Sequence, residues 1–223
     1  MDTVSIIALS MGAAWASGIN LYATLFMLGY MASTGNITLP EEMEVLTNPM
    51  VMTAAGFMYC VEFFADKIPG VDSGWDSIHT FIRIPAGAML ASSAVGDVTP
   101  AVELTAALLG GTLAAGSHMT KAGSRLLINT SPEPVTNWTA SIGEDLLVIG
   151  GLWAALNHPV WFLVGLVLFS IFMIWALPKL WRLIKRLFKV IGSWLGMCEP
   201  PVPINTSEYL SIDKKLETKD FET

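Results

Sequence analysis

An all-α, polytopic membrane fold is what this sequence predicts, and three observations predict it. Of the 223 residues, 53% are hydrophobic and 14% are charged, against about 25% charged in an average soluble domain. Apolar runs recur at 4–32, 49–64, 84–96, 100–117, 146–157 and 159–178, and several approach the roughly 20 residues that cross a bilayer. The charges are also segregated: five cations and no acid fall between Lys179 and Lys189. This composition excludes a disordered chain and argues against an ordinary soluble enzyme. Five or six spans use up the length, giving one membrane domain at 1–190 and no separate soluble one.

The run 4–32 reads as a retained first span. Met1-Asp2-Thr3-Val4 lacks the positive n-region of a signal peptide, and the apolar stretch behind it outlasts an h-region. Asn20 and Tyr22 sit near its middle, and Ala14-x-x-x-Gly18 permits close helix approach. Those polar groups serve either as packing glue or, with Ser17, as the uncharged part of a mid-membrane site. Runs 49–64 and 100–117 are further spans. Runs 84–96 and 146–157 are shorter and read as spans or as re-entrant half-spans, because Asp97–Pro100 and Asn157–Pro159 suit tight turns at either depth. The run 159–178 is the last span. Its continuation, 179–194, is a basic amphipathic helix at the cytoplasmic headgroups, and 195–223 is a disordered cytoplasmic tail.

Under the positive-inside rule, six spans put both termini and the polar connections 65–83 and 118–145 in the cytoplasm. The connection 33–48, with Glu41, Glu42 and Glu44 and no Lys or Arg, then lies outside. Cys60 and Cys198 make neither a disulfide framework nor a metal-ligand spacing. Asp66-Lys67-Ile68-Pro69 followed by Trp75 returns as Asn129-Thr130-Ser131-Pro132 followed by Trp138, 63 residues on. This is either chance or an internal helix-connection-helix repeat of the parallel kind, flanked by the first and last spans.

The two connections hold most of the remaining charge. Glu62 and Asp66, four apart, face one way. Pro69-Gly70 breaks that helix, and Ser73-x-x-Asp76 is a capping-box-like start for the next. Asp76, His79 and Arg83 follow as one stripe, while Lys67 and Asp72 lie in the loop. In the second connection His118, Lys121 and Arg125 share a helical face. Asn129 follows, and Ser141-x-x-Glu144 makes another capping start beside Asp145. Ionisable groups bordering apolar spans cost a few kcal/mol each and persist where paired or facing a polar cavity. The two connections are therefore expected to fold against each other, with Glu62 or Asp66 near Arg125 or Lys121, around a polar vestibule open to the cytoplasm.

The series Ala16-Ser-Gly-Ile-Asn-Leu-Tyr-Ala23, Ala65-Asp-Lys-Ile-Pro-Gly-Val-Asp-Ser73, Trp75-Asp76, His79-Thr80, Arg83, Ala86-Gly-Ala88, Asn129-Thr-Ser-Pro-Glu-Pro134 and Glu144-Asp145 resembles the bacterial integral-membrane proteins grouped as a domain of unknown function, number 4126. The resemblance covers about residues 5–185 and implies a multi-span bacterial inner-membrane protein. It brings no established activity with it.

The candidate substrate-binding set is Asn20, Tyr22, Glu62, Asp66, Lys67, Asp72, Asp76, His79, Arg83, His118, Lys121, Arg125, Asn129, Glu144 and Asp145. A transporter or channel for a small polar or anionic solute is the favoured reading. The cationic face suits an anionic or phosphorylated group, and Glu62 or Asp66 could couple protons. A membrane enzyme acting on a lipid headgroup or lipid phosphate is the alternative, with Asp66, Asp72, Asp76, His79, Glu144 and Asp145 as Mg²⁺ or Mn²⁺ ligands or acid-base groups by type. No phosphotransferase spacing and no activated nucleophile accompany them. An accessory subunit is the third reading, with small-residue patches such as Gly111-x-x-x-Ala115 for helix association. No catalytic residue, metal site or cofactor is assigned. The expected partners are the bilayer and a solute, without nucleic acid, and a homo-oligomer is compatible with the sequence.

Overall fold

A computed structural model describes residues 1–68, 70–130 and 134–194, the side chains of 134 and 186–194 aside. These residues are all-helical, without a strand. Seven α-helices run α1 Thr3–Ile19, α2 Leu21–Ser33, α3 Pro49–Ala65, α4 Val71–Ala94, α5 Pro100–Ile128, α6 Pro134–Asn157 and α7 Pro159–Trp194, with a 3-10 helix at Glu41–Thr47. One compact unit is Met1–Trp181, and a second begins at Arg182. In the second unit, 182–194 are helical. The expected tail at 195–223 lies outside the described residues, as do Cys198, Pro69 and the Ser131-Pro132 part of the echo.

Helix boundaries follow local chemistry. Asp2 caps α1 by accepting from the Ser5 N–H at 3.1 Å, and the Ser5 side chain first and this N–H second hold its carboxyl below the usual carboxylate range. Asn48 accepts from the Met50 N–H at the start of α3. Proline opens α3, α5, α6 and α7, where its missing N–H has no helical acceptor to serve. Gly70, at φ 87°, turns the chain into α4; the left-handed region favours glycine.

The run 4–32 is not one span. At Asn20 the backbone leaves the helix (φ −145°, ψ 99°), and its side chain accepts from the Ala23 N–H at 2.9 Å to start α2. α2 then turns back beside α1. Ser10 Oγ donates to Ala91 O while Ser17 lies against Gly87, so α1 runs antiparallel to α4. Gly29 faces Met52 and Gly56 faces Phe26, so α2 runs antiparallel to α3. Gly12 meets Ala155 and Asn20 meets Asp145, so α6 opposes α1. Met173 packs on Gly116 and Leu180 on Gly123, so α7 runs with α5. The seven helices thus alternate in direction.

The single helix expected over 4–32 is corrected to two, α1 and α2. Met1 and Ile6 share a cavity with Thr38, Leu39, Pro40 and Ala94, Val95, Gly96, at the end of the bundle away from the 66–70 connection. The extra helix comes from the break at Asn20, which turns one apolar run into a hairpin.

The polar connections are also shorter than expected. Only 66–70 and 129–133 separate helices there, and 84–96 and 146–157 are the latter parts of helices α4 and α6, each of 24 residues, about 36 Å long. Ser73, Asp76, Ser141 and Glu144 lie inside those helices, so neither capping box operates. Gly70 and Pro134 start the helices earlier. At an offset of 63 the ends of α3 and α5 coincide, as do both ends of α4 and α6. The C-cap residues Asp66 and Asn129 each donate their N–H to the carbonyls four and two residues back.

α1 is the central helix, packed against α4, α5 and α6. Gly18 makes the closest approach: a Cβ there would overlap Ser117 Oγ and Ala114 O. Trp15 is buried edge-on against Phe162 and Phe169. The distribution of polarity is inverted relative to a water-soluble bundle. Arg83 and Arg125 are the largest fully buried side chains, whereas Phe81, Met50 and Trp161 are 82%, 81% and 77% exposed. Among the described helices, the stretches Val135–Asn157 and Pro159–Lys185 are long and apolar enough to cross a membrane.

Candidate functional site

Helices α3, α4, α5 and α6 bring their charged residues together beside the tip of the α1–α2 hairpin. The three-and-four spacing read from the sequence puts Asp76, His79 and Arg83 on one buried stripe of α4, and His118, Lys121 and Arg125 on one of α5.

Lys121 is the hub. Its Nζ donates to Asp66 Oδ2 at 2.7 Å, Glu62 Oε1 at 3.3 Å and the Ile19 carbonyl at 3.1 Å, with Asp76 Oδ1 and Glu144 Oε2 each at 3.7 Å. The Ile19 carbonyl is available because the helix stops at Asn20, leaving the last carbonyls of α1 without helical donors. Arg83 donates to Glu62 Oε1 and, at 3.0 Å, to Asp76 Oδ1. Arg125 grips Glu144 through two bonds of 3.1 and 2.7 Å, and its Nη1 reaches Asp66 O, Asn137 O and Asn137 Oδ1. Such two-pronged pairing is the strong form of ion pair.

Hydrogen-bond roles fix both histidines. Arg83 Nη1 lies 3.1 Å from His118 Nδ1; since guanidinium only donates, Nδ1 accepts. The proton is then on Nε2, donated to Thr80 Oγ1 at 2.7 Å, while Thr80 donates to Asp76 O. His118 is neutral. His79 Nδ1 is 2.9 Å from the Trp75 carbonyl and donates to it, while Nε2 lies 3.1 Å from Tyr22 Oη. Trp75 stacks on the His79 ring with centroids 4.2 Å apart.

A second tier ties the network to the connections. Asp72 accepts twice from Asn129 Nδ2, at 2.8 and 3.0 Å, and from the N–H groups of Gly70 and Ser73. Asn137 donates to Asn129 Oδ1. Asp145 accepts from Asn20 Nδ2 at 3.0 Å. Lys67 donates to Phe63 O and Ser141 Oγ. A cavity of about 120 Å³ reaches Lys121 and Glu144 between Ser117, Thr120, Ser124, Leu147, Phe169 and Ile19. A larger, apolar cavity of about 260 Å³ between α2, the 3-10 helix and α4 touches no residue of the ionic network.

Every candidate residue from the sequence falls in or beside this cluster, and Glu62 and Asp66 do meet Lys121. Sequence reasoning missed the Ile19 carbonyl, Thr80, Asn137 and the hydroxyl row Ser117, Thr120 and Ser124. The row could have been found, since it flanks Lys121 at helical spacing. The carbonyl could not, because it becomes a ligand only through the helix break. Among the described residues, no group of three His, Cys, Asp or Glu is arranged to hold a metal ion.

Fold and site together define an all-α protein with an apolar exterior and a buried ionic network at the tip of a helical hairpin. Residues 7–179 match the family described as Domain of unknown function (DUF4126), and the chain belongs to it. No curated protein matches the chain, and no solved structure does.

Proposed function

We propose that the chain is a multi-pass protein of the bacterial inner membrane, transporter- or channel-like, that moves a small polar solute or ion through a site facing the cytoplasm. The observation that carries this reading is the break at Asn20, whose freed Ile19 carbonyl meets Lys121 beside the cavity at Glu144. Non-helical backbone at membrane depth is tolerated where it is buried in protein or lines a cavity, and transporters build their sites from such broken helices.

Inverted polarity supports the membrane reading: apolar side chains face outward and arginines inward. The 17 residues of α1 reach about 25 Å, close to the roughly 30 Å of a hydrocarbon core. The network then sits at the inner boundary of that core. Lys67, Arg83, Lys121 and Arg125 gather towards the 66–70 and 129–133 connections, which supports a cytoplasmic position for that end. Thr3 and the acidic 3-10 helix accordingly lie outside. The matched ends of α3–α4 and α5–α6 support two parallel repeats about an axis along the membrane normal. The cations expected to receive an anion are already engaged by carboxylates, and the cavity adds hydroxyls, which favours a polar or cationic solute.

The test is flux. Proteoliposomes loaded with a pH-sensitive dye would be challenged in turn with gradients of K⁺, Na⁺, ammonium, phosphate and acetate. The wild type is expected to respond to at least one gradient, and Asp66→Asn and Arg125→Ala to lose that response. Wild-type flux equal to that of empty liposomes for all of them would overturn the reading.

A further inference from the structure

The eight ion pairs of the network join four carboxylates to three cations. His118 adds no charge, since its Nδ1 accepts from Arg83. With the buried Asp72, Asp145 and Lys67 beside them, six carboxylates face four cations, so negative charge is in excess in a space where the carboxylates of Glu62, Asp66 and Asp76 are almost wholly buried. An uncompensated buried charge is costly enough that the group neutralises instead. A second observation locates the deficit. Glu62 Oε2, Asp66 Oδ1, Asp76 Oδ2 and, further out, Asp145 Oδ2 are buried with no hydrogen-bond partner, against one unpartnered cationic donor, Arg83 Nε.

We propose that the network is a proton-binding site, with one exchangeable proton held by the pair Glu62 and Asp76. Each of these carboxylates commits one oxygen to the same Arg83 and Lys121 and leaves the other free. Two carboxylates held by the same cations in this way are arranged to keep one proton between them. The groups bearing on Glu62 are Arg83 and Asp76 from α4, Lys121 from α5, Tyr59 on its own helix, Asp66 at that helix's C-cap and the Tyr22 hydroxyl from α2. From α6, Glu144 acts through Lys121, 3.7 Å away. A proton fits better than a metal ion, because the described residues offer no metal-holding trio. The cavity beside Lys121 and Glu144 reaches the edge of the network. As the ion coupled to transport, the proton rests on the reading above; as a bound ligand, it rests on the network alone.

Infrared difference spectroscopy on the purified full chain in nanodiscs tests the binding site without reference to flux. A carbonyl stretch of a protonated carboxylic acid, shifting in heavy water, is expected in the wild type near neutral pH. It should be lost in Glu62→Gln or in Asp76→Asn, while Glu103→Gln, on the outer turn of α5, keeps it. Thermal melting in NaCl or KCl, compared with N-methylglucamine chloride at equal ionic strength, should show no alkali-specific shift. Absence of the band, its persistence in both variants, or an alkali-specific rise in melting temperature lost in Glu62→Gln would each overturn the proposal. A band with no wild-type flux keeps the proton site and removes transport; flux without a band does the reverse.

Discussion

Arg83 is as buried as any leucine in the molecule, yet its guanidinium meets two carboxylates and an imidazole. Removing one partner of a buried ion pair strands the rest, at about 3–5 kcal/mol. Arg83→Ala is expected to lower the unfolding free energy by about that amount, read by chemical denaturation in detergent. Arg83→Lys should recover only part of it, because one ammonium cannot span Glu62 and Asp76 as the planar fork does. Gly18 provides the matching steric case. Gly18→Ala forces a methyl into Ser117 and Ala114, with an expected cost of about 1–3 kcal/mol. At this scale the sequence was informative: spacing alone grouped Asp76 with Arg83 and Lys121 with Arg125. Partner choice was not legible, since which carboxylate meets Lys121 depends on how far α3 slides along α5.

Between elements, the decisive feature is the turn at Asn20, whose side chain caps α2 and also bonds Asp145. Asn20→Ala is expected to cost about 1 kcal/mol for the lost cap and about 1–3 kcal/mol for the carboxylate left unsatisfied. Asn20→Ser keeps a capping oxygen but loses the amide donor to Asp145, so denaturation of the two variants separates the terms. Helix starts illustrate how local signals lose to context. Ser73-x-x-Asp76 and Ser141-x-x-Glu144 have capping chemistry, but their carboxylates are taken by Arg83 and Arg125, and the preceding Gly70 and Pro134 begin the helices first. The 63-residue echo was legible as four matched letters. Its extent appears only in the helix ends, which depend on caps and prolines rather than on shared side chains.

Across the whole molecule, seven alternating helices and six spans make different statements about which side residue 3 faces. Single cysteines at Thr3, Asn36 and Thr130, in a Cys60→Ser, Cys198→Ser background, distinguish them in intact cells. An impermeant maleimide is expected to label Thr3→Cys and Asn36→Cys from outside, and Thr130→Cys only after lysis. Labelling of Asn36→Cys without Thr3→Cys would restore a single span over 4–32. The hairpin escaped sequence analysis for a physical reason. Residues 3–33 contain no charge, so neither hydropathy nor the positive-inside rule marks a turn among them. The segregation of charge elsewhere did mark the two polar connections.

The same hairpin sets an order of assembly. Neither its 17-residue arm nor its 13-residue arm has the roughly 20 residues of an independent span. Its tip finds hydrogen-bond partners in His79 of α4, Lys121 of α5 and Asp145 of α6, all of which are synthesised after it. The segment made earlier therefore completes its polar contacts only with a receptor built from its own later sequence.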